Sequence, residues 1–168
     1  MDAVRVLELL DLIEASNIPV WVDGGWAVDA LLCEQTREHD DLDLIARLED
    51  SARIQEALAE LGYVVGYGAP PHSFELVDGD GHQVDVHPAA FRPGEDPVYK
   101  RATGDDWIYP AEGFEGIGRI LGREVPCLTP EVVIVNHATG YALDAAHRQD
   151  VRALAERYDL TVPPFRSV

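Results

Sequence analysis

Three short motifs carry the residues whose types and spacing could do chemistry. In Asp40-Asp41-Leu42-Asp43-Leu44, Asp41 and Asp43 stand at i and i+2. On an extended strand such residues project from one face, while Leu42 and Leu44 turn to the other. Two carboxylates held side by side repel each other unless a cation lies between them. Hard oxygen ligands favour Mg²⁺, which keeps several waters and takes one or two carboxylates together with substrate phosphates. In Gln83-Val84-Asp85-Val86-His87, a single acid stands between two valines. If the two strands are neighbours, Asp85 completes a three-carboxylate cluster able to hold a metal and to take a proton from an attacking hydroxyl. The third motif, Val22-Asp23-Gly24-Gly25-Trp26, puts two glycines between a short apolar run and a helix. Glycine lets the backbone approach a ligand closely, and a helix N-terminus offers free N–H groups to phosphate. Each motif alone has a plainer reading: a turn, two solvated aspartates, a strand with one polar face. As a set they describe metal-assisted chemistry at a phosphate.

The elements that must position these residues are legible from periodicity. Val6, Leu9, Leu10 and Ile13 fall at i, i+3, i+4 and i+7, so residues 2–16 read as an amphipathic helix ended by Asn17 and Pro19. Pro19–Val22 reads as a short strand, Gly24-Gly25 as a turn, Trp26–Leu32 as a second helix and Leu42–Ala46 as a strand. Ser51 is placed to cap a helix carrying Ile54, Leu58 and Leu61. Gly62–Tyr67, Ser73–Val77 and Gln83–Val86 follow as strands, the last two joined by the hairpin signal Asp78-Gly79-Asp80-Gly81. Residues 88–115, rich in Gly, Pro and acids, read as an irregular active-site or interface segment. Arg119–Leu121 and Glu124–Leu128 suggest a second hairpin. Thr129-Pro130 opens a helix to about Thr139, and Asp144 is placed to cap a last helix with Val151, Leu154, Ala155 and Tyr158 on one face. The expected fold is a single α+β domain over residues 1–168, a mixed β-sheet flanked by helices. Within it, residues 88–128 form the irregular and hairpin substrate segment and 129–160 the C-terminal helices.

The bulk numbers narrow the partners. The 168 residues suit one domain with a core, and no apolar run approaches the ~20 residues of a membrane span. The start of the chain lacks the basic region of a signal peptide, and Cys33 and Cys127 imply no disulfide framework, so a cytoplasmic protein is expected. The net charge is −18, and Lys100 is the only lysine. Such a surface repels nucleic acid and anionic membrane and suits a cationic ligand; it also serves plain solubility.

The motifs together resemble the DNA polymerase β-type nucleotidyltransferase superfamily. The likeness narrows over Trp21-Val22-Asp23-Gly24-Gly25-Trp26-Ala27-Val28-Asp29 and Gln35-Thr36-Arg37-Glu38-His39-Asp40-Asp41-Leu42-Asp43, which resemble the small lincosamide nucleotidyltransferases and the aminoglycoside 2″-adenylyltransferases. Val84-Asp85-Val86-His87-Pro88, Val125-Pro126-Cys127-Leu128 and the Gly140-Tyr141 region are similar to the lincosamide type. The resemblance covers roughly residues 5–160 and implies a polymerase β-like fold and transfer of a nucleotide, AMP from ATP, to a hydroxyl of a small molecule. It implies that Asp41 and Asp43 bind Mg²⁺, that Asp85 is a metal ligand or general base, that Gly24 and Gly25 contact the triphosphate, and that Arg37 and His39 lie near it. It also implies a homodimer whose loops complete the site.

Alternatives stay open residue by residue. Arg37 could pair with Glu34 or Glu38 at the surface, His39 could be a structural imidazole, Trp26 reads as core, and Asp23 reads as a helix cap. The acceptor pocket falls on residues 66–75 and 89–115, where the correspondence is loose; Tyr67, His72, Trp107 and Tyr109 are its aromatic and imidazole candidates. Competing functions are modification of a protein partner, non-catalytic nucleotide binding, and metal-dependent hydrolysis using His39-Asp40. Protein-modifying relatives usually carry Gly-Ser at the turn where Gly24-Gly25-Trp26 stands. Intact Asp41, Asp43 and Asp85 speak against a decayed site, and His39 lies far in sequence from the other histidines.

Overall fold

In the computed structural model, residues 1–101, 104–139 and 145–165 are described. Helix α1 spans Ala3–Ala15 and is capped by Asp2, whose carboxylate accepts the Arg5 N–H at 2.8 Å. Its buried stripe is Val6, Leu9, Leu10 and Ile13. Asn17 then takes a left-handed φ of 53°, which ends the helix and turns the chain into β1, Val20–Val22. Helix α2 runs Gly24–Leu32, so the two glycines are its own first turn rather than a turn ahead of it. Strand β2 is Asp41–Arg47, followed by a 3₁₀ turn over Leu48–Asp50 and helix α3 over Ser51–Ala59. Ser51 does not cap α3, contrary to expectation: its hydroxyl donates to the Leu48 carbonyl at 2.8 Å inside the 3₁₀ turn. Strands β3 (Val64–Gly68), β4 (Phe74–Val77) and β5 (Gln83–Ala90) come next.

Residues 88–115 are more regular than their composition suggests. They extend β5 and add β6 (Val98–Lys100), β7 (Asp106–Ile108) and a 3₁₀ turn over Ala111–Phe114. Strands of three residues are too short to display a period of two, which is why sequence pattern missed them. Strands β8 (Gly116–Ile120) and β9 (Arg123–Cys127) form the second hairpin, and helices α4 (Pro130–Thr139) and α5 (Ala145–Tyr158) close the chain. The proposed cap Asp144 and the Gly140-Tyr141 pair lie outside the described residues.

One sheet runs in the order β3-β4-β5-β2-β1-β9-β8, with β6 attached to β5 and β7 to β6. Most neighbours are antiparallel; β2 and β5 are parallel, as are β1 and β9. The parallel pair is central, and its inward residues Leu42, Leu44, Val84 and Val86 are fully buried in one core with Leu9, Ile13, Ile54 and Leu58. Alternation along each strand leaves the other face of the same pair for polar residues. The hydrophobic set therefore fixes which way the acids point.

Candidate active site

The β2–β5 ladder aligns Asp43 with Asp85 and Asp41 with Gln83. Asp41, Asp43 and Asp85 therefore share one face of two adjacent strands and are half-buried there. Strand β4 adds a fourth acid, because Glu75 lies opposite Asp85 on the other side. The glycine turn sits directly against this face. Asp23 N–H donates to the Asp43 carbonyl at 3.0 Å, and Gly24 has φ +60°. A Cβ at Gly24 would lie 1.9 Å from Asp43 Oδ2, and one at Gly25 would lie 2.3 Å from His39 Nδ1 and 2.7 Å from Arg37 Nη2. Both glycines are there because the acids and the basic loop come too close for any side chain.

The crowding shifts the charges. Burial and then the charge of Asp43 raise the Asp41 carboxyl above its ordinary range. Burial pushes Asp85 up to about 6; the charges of Asp43 and Asp41 add to it, against the hydrogen bond from Gln83 Nε2 at 2.8 Å. Asp23 is fully buried and is likewise pushed up to about 6, by burial and then by Asp43. The chemistry of Asp41, Asp43 and Asp85 suits a divalent cation, since hard oxygen donors that repel one another are what such an ion relieves. Among the described residues, the group of three whose ligand atoms lie within 4.8 Å of one another is a different one, Asp78, Asp80 and His82 at the β4–β5 turn. It is explained without an ion. Asp78 accepts from the backbone of Asp80 and His82, from the His82 ring and from Arg5, so it is the hinge of the turn.

Asp23 stands at the N-cap position of α2 but makes no capping bond with its side chain. Its carboxylate instead takes both contacts of Asn136 Nδ2, at 3.2 and 3.3 Å, from α4. His39 is buried; its Nε2 bonds Asp29, which also accepts from Thr36 N and Oγ1 at 3.0 and 2.6 Å. The imidazole is thus a strut between α2 and the loop before β2, with its Nδ1 edge toward Gly25. Arg37 pairs with neither Glu34 nor Glu38 side chains: Nη2 reaches buried Asp150 of α5 at 3.1 Å, and Nη1 donates to the Glu38 carbonyl at 3.2 Å. Trp26 is core, as expected, with its ring tilted 44° against that of His39 at 4.9 Å between centroids.

The family model for aminoglycoside-2''-adenylyltransferase matches residues 5–154. The chain belongs to that family. Among curated relatives, a lincosamide resistance protein from Staphylococcus haemolyticus is 27% identical over 146 residues, covering 87% of this chain and 89% of the relative. A 2''-aminoglycoside nucleotidyltransferase from Klebsiella pneumoniae is 33% identical over 137 residues, covering 80% and 73%. Among solved structures, a lincosamide antibiotic adenylyltransferase with lincomycin bound superposes with a TM-score of 0.76 at 26% identity, covering 89% of this chain and 93% of that one. The aminoglycoside 2''-adenylyltransferase family is one of nucleotidyltransferases, and the mixed α+β sheet described above is its fold.

For this adenylyltransferase-family chain the residues expected on the acceptor side divide. Tyr67 is exposed on edge strand β3, and with His72 it lines a cleft of about 600 Å³ that also holds Ser73, Lys100, Arg101 and Asp106. Trp107 is half-buried, with Arg101 over its ring at 5.2 Å, so it backs the cleft rather than lining it. Tyr109 is 3% exposed and packs edge-on against Phe114, which places it in the core, not on the cleft surface. Its phenol is raised far above its ordinary range by burial and then by Asp23. Sequence reasoning missed Glu75, His87, Asn136 and Asp150 as neighbours of the site. His87 was within reach, since it lies two residues after Asp85 on the same strand face; the two helical residues gave no local signal.

Proposed function

We propose that the protein transfers AMP from Mg-ATP to a hydroxyl of a small molecule of lincosamide or aminoglycoside type, with release of pyrophosphate. The observation that carries this reading is the register that sets Asp85 directly across from Asp43, with Asp41 on the same face beneath the Gly24 turn. In the proposed reaction the acceptor oxygen attacks the α-phosphorus. The bond to the β-phosphate bridging oxygen breaks, and the hydroxyl proton passes to Asp85. Asp85 is the acid set directly across from Asp43, and this is the place from which a base would take that proton. Asp41 and Asp43, with Asp85, would hold Mg²⁺, which neutralises charge on the transferring phosphate when bound. The backbone N–H groups of Gly24 and Gly25 and the Arg37 guanidinium are assigned to the triphosphate.

The acceptor cleft has a charge of its own. Although the chain carries −18 overall, the cleft gathers Lys100 and Arg101, each paired with an acid, Asp106 at 3.2 Å and Asp105 at 3.4 Å. That near-neutral wall favours an acceptor of low positive charge, such as a lincosamide, over a polycation. We also propose a homodimer whose loops complete this cleft.

Mass spectrometry tests the reading: protein, Mg-ATP and one lincosamide or aminoglycoside per tube, with EDTA controls. A magnesium-dependent adduct of one AMP on a drug supports it and names the acceptor class. No adduct together with no nucleotide binding by calorimetry would overturn it.

A further inference from the structure

Three of the polar groups around the carboxylates form a chain that the reaction scheme above does not use. His87 Nε2 lies 3.2 Å from Asp43 Oδ1. Its Nδ1 lies 3.3 Å from the Tyr99 hydroxyl, which bonds Ser73 Oγ in turn. The ring of His87 is tilted 59° against that of Tyr99 at 5.3 Å between centroids. These residues come from three strands: Ser73 just before β4, His87 on β5 and Tyr99 on β6, with Ala89 and Tyr99 paired in the ladder. Ser73 is also a wall of the acceptor cleft.

The two oxygens of Asp43 are thereby distinguished. Oδ2 faces the Gly24 backbone, where a Cβ would lie 1.9 Å away. Oδ1 is the oxygen His87 touches. An ionised carboxylate accepts and cannot donate, so Nε2 must carry the proton. Nδ1 is then left to accept from Tyr99 in the neutral ring, which fixes the tautomer. Groups that hold a metal-ligating carboxylate by its outer oxygen orient it, and their loss costs about 10–100-fold in metal affinity or activity.

We propose that His87 is a positioning residue for Asp43, locked by Tyr99 and Ser73, so that the wall of the acceptor cleft and the metal-binding carboxylate are held by one hydrogen-bonded chain. This rests on Asp43 being a metal ligand, and the experiment separates the two claims. Mn²⁺ affinity in the presence of ATP is measured for the wild type, Asp43→Asn, His87→Leu, His87→Gln and Tyr99→Phe, each checked for a native melting transition. The proposal expects His87→Leu to weaken Mn²⁺ by about 10–100-fold. His87→Gln, which keeps a donor, should recover most of that loss, and Tyr99→Phe should fall between. Nitrogen-detected NMR of the metal-free protein should find the His87 proton on Nε2. Unchanged Mn²⁺ affinity in His87→Leu, with Asp43→Asn impaired, overturns the positioning role alone. A neutral His87 with its proton on Nδ1 also overturns it. Unchanged affinity in Asp43→Asn overturns the metal-ligand reading on which it rests.

Discussion

At the scale of single residues, the site is a set of charges the fold holds too close. Asp85 makes this testable without substrate. Its folded carboxyl is raised to about 6, so the folded state binds a proton more tightly than the unfolded chain does. The cost of its charge is absent below the ordinary carboxylate range and fully present above about 6. Asp85→Asn should therefore raise the metal-free melting temperature by about 2–6 °C at pH 7.5, after discounting for its partial exposure. The gain should vanish near pH 4, and turnover should be lost at every pH. A gain that is the same at both pH values would contradict this assignment. Gly24→Ala should act in the opposite way. Its Cβ would displace Asp43 Oδ2 and also strain a left-handed φ, at about 1–2 kcal/mol for the backbone alone. Thermal melting and Mn²⁺ binding should both weaken; an Ala variant that binds Mn²⁺ normally would show that the turn does not press on the carboxylate. The acids themselves were legible in the sequence, because Asp41, Asp43 and Asp85 alternate with residues that only a core accepts. Arg37 and His39 were half-legible: they lie at the turn, but their partners Asp150 and Asp29 are set by helix packing that no local pattern reports.

At the scale of elements, the site is braced by the C-terminal helices. Asn136 on α4 satisfies the buried carboxylate of Asp23, and Asp150 on α5 holds Arg37. Removing a partner from a buried charged group costs about 1–3 kcal/mol or more. Asn136→Ala should thus lower the melting temperature at pH 7.5, and by less at pH 5, where Asp23, pushed up to about 6, is protonated. Equal losses at both pH values would mean the contact to Asp23 is not what Asn136 contributes. The junction between α4 and α5 has its own acid limit. Burial lowers His137 to about 4, with Asp150 at 3.6 Å and the His147 ring at 5.1 Å working against and with that shift respectively. A depressed imidazole contributes stability above its unfolded value, about 6.5, and loses it as pH falls through 4. Protection of the α4 and α5 amides against hydrogen exchange, taken relative to the intrinsic rate at each pH, should fall across that window, and His137→Gln should flatten the change. Helices α1, α3 and α5 were readable from the spacing of their apolar residues, and α4 from the Thr129-Pro130 start signal. β6 and β7 were not, because each is three residues long and shows no period of its own.

At the scale of the whole molecule, one sheet joins the acids, the glycine turn and the cleft proposed for the acceptor. Its net charge of −18 acts against the compact state and should be screened by salt. Raising NaCl from about 0.05 to about 0.5 M should raise the metal-free melting temperature, and less so once Mg-ATP is bound. Family and fold could be read from the motifs because the chemistry needs those residue types at those spacings. The acceptor could not, because the cleft proposed for it is assembled from β3, the loop before β4, β6 and β7, where loop side chains are free to vary on a fixed frame. The central claim is that the carboxylates of β2 and β5 direct transfer of the nucleotidyl group. The most direct test follows a label. ATP radiolabelled at the α-phosphate is compared with ATP labelled at the γ-phosphate, using wild type and folded Asp43→Asn with the acceptor identified by mass spectrometry. The account requires the α-label to appear on the acceptor, the γ-label to leave as pyrophosphate, and both to stay in ATP with Asp43→Asn. Transfer of the γ-label to the acceptor, or full α-label transfer by Asp43→Asn, would contradict it.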